Sequence, residues 1–522
     1  MLPGILQALP FALFGASLAL ALDVTVPLSP PATANRIAGD HVSFSLEQDR
    51  WLDWSGTTSR NDFFFNTLDN LRQLSGVPPQ IRIGANSQDR TNFNPGIDFV
   101  QTTFPAPSKN VPYPEASSIV TENFPDTRVI WGLNLGQNNL TAGYLVSQSI
   151  TKAFELPEVR QNGIVLDGMI IGNEPDLFPV NGHRPSGYSV SQYISEWKAI
   201  ASNVTTTLKI TSSSNTKFWG AAFAASSHSN NGFSPQALFY QGLLTSPPGS
   251  LISTISQHAY SGSFCEGNGA LLQDLMTKAY IRGNLSRFAP DIAATRAQNL
   301  DYVMGETNSF ACHGTPGVSN VGGAALWTLD YLLYGAQVGI SRIFFHQGIG
   351  FKYNLIQPVA LTRSPLDATP LSSPLPPHVQ PQYYAAILAA EAIGPSGSTR
   401  VSELSVGDAR ISGYAFYEGN ALVRAVFINS LAFYAGDKPE TRRSTRINLS
   451  FNGSQAGGSV KSFTVKRLDI PHADGETGLK WGGITYETSN GRPQGQSQTT
   501  KVDVSIGFDL RATEAVLLSF NR

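Results

Sequence analysis

The feature that most constrains the fold of this chain is a rhythm of short apolar runs, each closing on polar or small residues. They are VSFSLE (42–47), QIRIGAN (80–86), RVIWGLNL (128–135), MIIGNE (169–174), KFWGAAF (217–223), ISTISQHAY (252–260), YVMGETN (302–308) and RIFFHQG (342–348). Runs apolar on both faces, alternating with helical patterns such as FFFNTLDNLRQL and VGGAALWTLDYLLYGAQ, predict parallel strands covered by helices. Eight such units predict a (β/α)8 barrel over residues 41–395, closed by the helix around QYYAAILAAEAIG. The Pro-rich stretch LTRSPLDATPLSSPLPPHVQPQ (361–382) falls between the eighth strand and that helix and reads as a long barrel loop.

After about Ser396 the texture changes. SGYAFYEG, ALVRAVFIN, STRINLSF, KSFTVKRLD, VDVSIGFDL and EAVLLSFN alternate apolar and polar residues between turn residues, which predicts an antiparallel β-sandwich over residues 396–522. The strand-like DVTVPLSPPATA lies before the barrel, so residues 22–40 are expected to join that sandwich. At 522 residues the chain has ample length for two such domains.

Composition narrows the partners. Charged residues make up only 14% and the formal net charge is -2, so there is no basic surplus to hold nucleic acid or a heavily sulfated polymer. Residues 1–21, MLPGILQALPFALFGASLALA, read as a secretory signal with an A-x-A site at Ala19–Ala21, although no Lys or Arg precedes the apolar core. No other segment reads as a membrane span. Sequons at Asn139, Asn203, Asn284, Asn448 and Asn452 agree with a glycosylated, extracellular protein. The two cysteines, Cys265 and Cys312, are expected to be bridged in that compartment.

The carboxyl ends of barrel strands converge on one site, and the runs end in a set of polar residues: Glu47, Asn86, Asn134, Asn173 and Glu174, His258 and Tyr260, Glu306 and Asn308, His346 and Gln347. Two glutamates stand out, because Glu174 ends the fourth run and Glu306 the seventh. A carboxylate pair across a small site is what acetal hydrolysis needs, one as proton donor to the leaving oxygen and one as nucleophile or base. Asn173 beside Glu174 suits a hydrogen bond to a sugar 2-hydroxyl. No metal-ligand spacing accompanies His258, and no metal or cofactor is expected.

GNEP at strand four with GETNS at strand seven resembles the clan A glycoside hydrolases. With RIGAN, QHAY, FFHQGIGFKYN, the PQYYAAILAAEAIG helix and the C-terminal sandwich, the chain is similar to glycoside hydrolase family 79, particularly fungal secreted β-glucuronidases. That resemblance implies Glu174 as acid/base, Glu306 as nucleophile, Asn173 on the 2-hydroxyl, and Glu47 and Asn86 lining the far side of the sugar pocket. It also implies Tyr260 on the nucleophile, His258 in support, and Tyr353 at the glucuronate carboxylate. Lys352 beside Tyr353 reads as a solvated lysine. The family's heparanase branch carries Tyr-Gly-Gly after the nucleophile where this chain has Ala311, Cys312 and His313, so His313 or nearby backbone amides are expected to replace part of that grip. Cys265 follows strand six and Cys312 follows strand seven, so the neighbouring loops are expected to be joined by the disulfide.

The resemblance implies a retaining, exo-acting β-glucuronidase that takes terminal glucuronic acid, with or without a 4-O-methyl group, from glycans such as arabinogalactan side chains, and a monomer is expected. Three alternatives stand beside it: a β-xylosidase or β-glucosidase of the same clan, a heparanase-like endo-glucuronidase, and a secreted carbohydrate-binding protein. The last would not need both glutamates.

Overall fold

The computed structural model describes residues 21–56, 59–93, 111–113, 124–364, 369–454 and 460–521. At its centre eight parallel strands close into a barrel: β1 (Val42–Glu47), β2 (Ile81–Gly84), β3 (Arg128–Leu133), β4 (Val165–Ile171), β5 (Lys217–Phe223), β6 (Ile252–Ser263), β7 (Asp301–Ala311) and β8 (Ile343–Gln347). They follow one another round the barrel in chain order, and β8 returns to β1 with Phe345 opposite Phe44. All eight expected runs are barrel strands. Most of the expected leader, residues 1–21, lies outside the described residues, and Ala21 opens a strand.

Strand periodicity of two divides the barrel into an outer apolar layer and a filled interior. Ile81 and Ile83 point outward to the helices, while Ile130, Ile170, Trp219, Val303 and Phe344 form a separate apolar plug inside. Arg82, between two outward isoleucines, must therefore point inward. The helices start where the sequence supplies caps. Asn61 accepts the Phe64 N–H at the head of α1 (Asp62–Ser75), and Asn139 accepts that of Ala142 at the head of α2 (Leu140–Glu155). Ser189 and Gln192 form a reciprocal box at the head of α3 (Val190–Leu208).

Helices α4 (Gly322–Val338) and α5 (Pro381–Ile393) are buried nearly all round. A helix without a polar face needs cover on both sides, and the C-terminal domain supplies it. Its main sheet runs in the order Asn35–Arg36, Arg400–Glu403, Ile411–Glu418, Ala421–Asn429, Glu514–Asn521, Ser462–Asp469, Lys480–Trp481. One face of that sheet packs on the barrel through Tyr414, Phe416, Val426 and Leu468. The other face, with Ala415, Tyr417, Ala425 and Phe427, packs on a smaller sheet through Val24, Val26, Ile447 and Phe508.

Three details differ from the sequence reading. The sandwich is not wholly antiparallel, because Ala21–Pro27 pairs in parallel with Ser444–Asn452, which sets Val24 and Val26 on the same buried face as Leu449 and Ile447. VDVSIGFDL is two strands rather than one: Thr500–Asp503 pairs with Ser462–Asp469, and Phe508–Arg511 crosses to the small sheet. The break falls at Gly507, at φ +70°, where an added Cβ would lie 2.4 Å from the Ile447 carbonyl. The Pro-rich loop carries a short antiparallel ladder of its own, Leu361–Arg363 with Pro370–Leu375.

Of the sequons, Asn139 and Asn452 are exposed, Asn203 is half-buried, and Asn448 donates its amide to Asp23 at 2.9 Å. Asn284 is half-buried, with its Nδ2 shielded from solvent and without a hydrogen-bond partner among the described residues. No helix among the described residues is long and apolar enough to cross a membrane.

Candidate active site

The polar residues at the carboxyl end of the barrel form one connected network. Arg82, fully buried, reaches from β2 across the barrel mouth. Its Nη1 donates to Glu306 Oε2 at 2.7 Å and to Ser45 at 2.8 Å, and its Nη2 donates to Asn173 Oδ1 at 2.7 Å. Tyr260 donates its hydroxyl to the other Glu306 oxygen at 2.9 Å. Burial alone would raise the Glu306 carboxyl, but His346, His258 and Arg82 outweigh it and hold the group well below the usual carboxylate range. Glu306 is therefore ionised and oriented through both oxygens.

Glu174 lies opposite. His258 Nδ1 is 3.0 Å from its Oε1, and a bulge between Gln257 and His258 brings His258 into register with Glu306 on the neighbouring strand. One atom each of Glu174, His258 and Glu306 lie within 4.8 Å of one another. Such a donor set could hold a metal ion, but here Arg82 already supplies positive charge to Glu306 and His258 engages Glu174.

The backbone at this point is strained. Gly172 has φ +83°, and Glu174 itself sits in the left-handed region at φ 50°, ψ 52°, which costs a non-glycine residue on the order of 1–3 kcal/mol. Neighbouring groups hold it there. The Glu174 N–H donates to the Ala222 carbonyl at 2.9 Å. Asp176 accepts the N–H groups of Ala224 and Ala225 at 3.0 and 2.9 Å. Asp89 accepts the Asn173 N–H at 2.7 Å and, with its other oxygen, those of Leu135 and Gly136 at 2.8 and 3.0 Å. Burial pushes Asp89 up to about 6 and Asp176 up to about 7, against the pull of these N–H donors.

The far side is built on β1 and β8. Glu47 accepts both the N–H and the hydroxyl of Ser87, at 2.9 and 2.6 Å, and its other oxygen is 3.4 Å from His346 Nε2. Burial would lower His346, yet the charges of Glu306 and Glu47 raise it. Asn86 is exposed in the turn after β2. Tyr353 is buried, its ring centroid 6.0 Å from those of Tyr260 and His346. Asn308 donates to the carbonyls of His346 and Tyr353 at 3.0 and 3.1 Å, tying the β8 loop to β7.

His313 sits on the rim, stacked on Phe351 with centroids 3.9 Å apart. Cys312 and His313 both have positive φ, and a disulfide joins Cys312 to Cys265 with Cα atoms 5.0 Å apart. The bridge ties the β6 loop to the β7 turn, as the strand order leads one to expect.

Of the sequence-selected residues, Glu47, Asn173, Glu174, His258, Tyr260, Glu306, His346 and Tyr353 meet at one mouth, while Asn86 is exposed in the turn after β2. Arg82, Asp89, Asp176 and the His346–Glu47 contact were not singled out from sequence. Arg82 did carry a signal, a charge between two isoleucines in a run apolar on both faces.

A barrel whose mouth holds two such carboxyl groups, one ionised and oriented by two donors, defines a class of enzyme, and comparison with known proteins agrees. Residues 413–517 match the glycosyl hydrolase family 79 C-terminal beta domain. The chain is 28% identical over 526 aligned residues to a Neurospora crassa protein named beta-glucuronidase, covering 92% of this chain and 91% of that one. It is 29% identical to an Aspergillus niger protein of the same name, covering 92% and 89%. A 4-O-alpha-L-rhamnosyl-beta-D-glucuronidase from Fusarium oxysporum, solved as a Rha-GlcA complex, superposes with TM-score 0.77 at 25% identity over 95% of this chain and all of that one. The chain is a glycoside hydrolase. It carries the family 79 C-terminal domain, and its likeness to the two proteins named beta-glucuronidase runs along nearly its whole length.

Proposed function

We propose that this glycoside hydrolase is a secreted, retaining exo-β-glucuronidase that removes terminal β-linked glucuronic acid from glycans such as arabinogalactan side chains. The observation that carries the reading is the carboxylate pair, with an oxygen of Glu174 and one of Glu306 within 4.8 Å. Retaining enzymes hold their carboxyl groups about 5–5.5 Å apart, whereas inverting enzymes leave about 6.5–9.5 Å for a water. The names of the relatives and of the superposed enzyme support the choice of sugar.

In this reading Glu306 attacks the anomeric carbon while Glu174 gives its proton to the departing glycosidic oxygen. Water then attacks the glycosyl ester, Glu174 takes its proton, and glucuronic acid leaves with its β configuration. Tyr260 and Arg82 keep the nucleophile ionised and aimed. Arg82 also occupies Asn173 Oδ1, which leaves the Asn173 amide N–H free to donate to the sugar 2-hydroxyl. Glu47 and Asn86 take the remaining hydroxyls. Tyr353, His313 and the backbone of the turn at 311–314 receive the sugar carboxylate.

The test is hydrolysis of p-nitrophenyl β-glucuronide beside the β-glucoside and β-xyloside, with wild type and Glu306→Gln. Turnover of the glucuronide alone, falling at least about a thousandfold in Glu306→Gln, is the expected result. Preferential turnover of glucoside or xyloside would overturn the assignment of Tyr353 and His313, and full activity in Glu306→Gln would overturn the nucleophile.

A further inference from the structure

The loop after β8 has two faces. Phe351 and Tyr353 face the active site, stacked against His313 and beside Tyr260. Gly350 and Lys352 line a separate cavity of about 570 Å³ behind them. That volume falls within the range of about 300–1,000 Å³ usual for ligand pockets, and a seam between domains is a common place for one. Its outer wall is the Pro-rich ladder, with Leu375, Pro376 and Pro377, and its inner wall is the sandwich loop around Glu476 and Thr488.

The lining matches a neutral sugar chain better than it matches an ion or an oil. Leu375 is 45% exposed, a large apolar side chain on a ladder whose other residues are mostly exposed too. The proline rings offer apolar faces to sugar C–H groups, and Leu375 adds branched apolar surface beside them. Lys352 and Glu476, one donor and one acceptor of opposite charge, have no ion-pair partner among the described residues. Gln380 spends its amide N–H on the Phe351 carbonyl at 3.1 Å and leaves its shielded oxygen without a partner. The second acid in the lining, Glu487, is occupied by the N–H groups of Gly478 and Leu479. Lys352 therefore faces two acids, Glu476 and Glu487, and this slight negative excess disfavours an anionic ligand.

We infer that this cavity is a second carbohydrate site, which holds a neutral stretch of the polysaccharide whose glucuronic acid caps are cut at the barrel mouth. The inference rests on the proposed activity only for the choice of polymer. A second foothold on one polymer raises the effective concentration of its chain ends at the active site, and a small aryl glycoside gains nothing from it.

The test is affinity electrophoresis of the full chain carrying Glu306→Gln, in gels containing arabinogalactan whose uronic acids have been reduced to neutral sugars. The neutral polymer is expected to retard the protein. Leu375→Asp, at an exposed position, is expected to weaken that retardation about fivefold or more, and Lys352→Ala about threefold. In the active enzyme Leu375→Asp should leave p-nitrophenyl β-glucuronide turnover within about twofold. No retardation by the neutral polymer, retardation unchanged in both variants, or retardation relieved by free glucuronic acid would each overturn the second site. A wild type inactive on the aryl glucuronide would overturn the proposed activity instead, and the gels would still decide the cavity.

Discussion

At the scale of single residues, the proposed chemistry depends on how Glu306 is kept ionised. Tyr260 contributes one hydrogen bond to the charged form, and bonds to charged groups contribute about 1.5–3 kcal/mol. Tyr260→Phe removes it without removing the ring, so kcat/KM on an aryl glucuronide should fall about 10- to 100-fold. The acid limb of the pH profile should move to higher pH, because the charged carboxylate has lost a donor. An unmoved limb would mean that Arg82 and the nearby histidines alone set the ionisation.

Asp49 titrates in the opposite sense. It is 1% exposed, its side-chain oxygens have no partner among the described residues, and burial followed by the charge of Glu47 pushes it up to about 7 from 3.8. A raised folded pKa contributes stability that is complete below the unfolded value and is lost as pH rises toward 7. Asp49→Asn mimics the protonated form at every pH. Denaturant unfolding should therefore find the variant equal to wild type near pH 4 and more stable at pH 8, by up to on the order of 4 kcal/mol. Equal stability at both pH values would contradict the assignment.

Residues of this kind explain what the sequence conceals. Glu174, Glu306, Asn173 and Tyr260 were legible because each falls at or near the end of a strand-like run, although β6 and β7 continue past Tyr260 and Glu306 to Ser263 and Ala311. Asp89 and Asp49 lie in turns beyond the strand ends, where a carboxylate has no periodic pattern to mark it. His346 ended a run, but its contact with Glu47 joins the first barrel strand to the last.

At the scale of elements, one carboxylate holds three of them in register. Asp89 follows β2 and accepts N–H groups just past the ends of β3 and β4. Asp89→Ala leaves three buried donors unmet, each costing about 1–3 kcal/mol, and frees the strained Asn173–Glu174 pair. Stability should fall, and kcat should fall about 10- to 100-fold with KM nearly unchanged, since misplacing the proposed proton donor is felt in the transition state. A rise in KM at constant kcat would assign Asp89 to sugar binding instead. Most elements were legible from periodicity and turn residues. The parallel pairing of Ala21–Pro27 was not, because strand direction is set by a partner more than 400 residues away in the chain and not by local pattern.

At the scale of the whole molecule, barrel and sandwich share a core. The strand Ile411–Glu418 is buried on both faces, one against the barrel helices and one against the small sheet. Arg282 pins the seam, bonding Asp330 at 2.5 Å, Glu403 at 2.6 Å and the Tyr414 hydroxyl at 2.6 Å. Calorimetry should find one transition for both domains. Arg282→Ala should destabilise the protein by about 3–5 kcal/mol, because Asp330 is left buried and charged without its partner. Two transitions in the wild type would contradict the shared core.

The most direct test of the central claim, that Glu306 and Glu174 act by double displacement, is the anomeric configuration of the first sugar released. Proton NMR of a β-glucuronide digest, read before mutarotation equilibrates the product, should find β-glucuronic acid first. The α anomer first would mean a single displacement by water, and would contradict the roles given to the two glutamates.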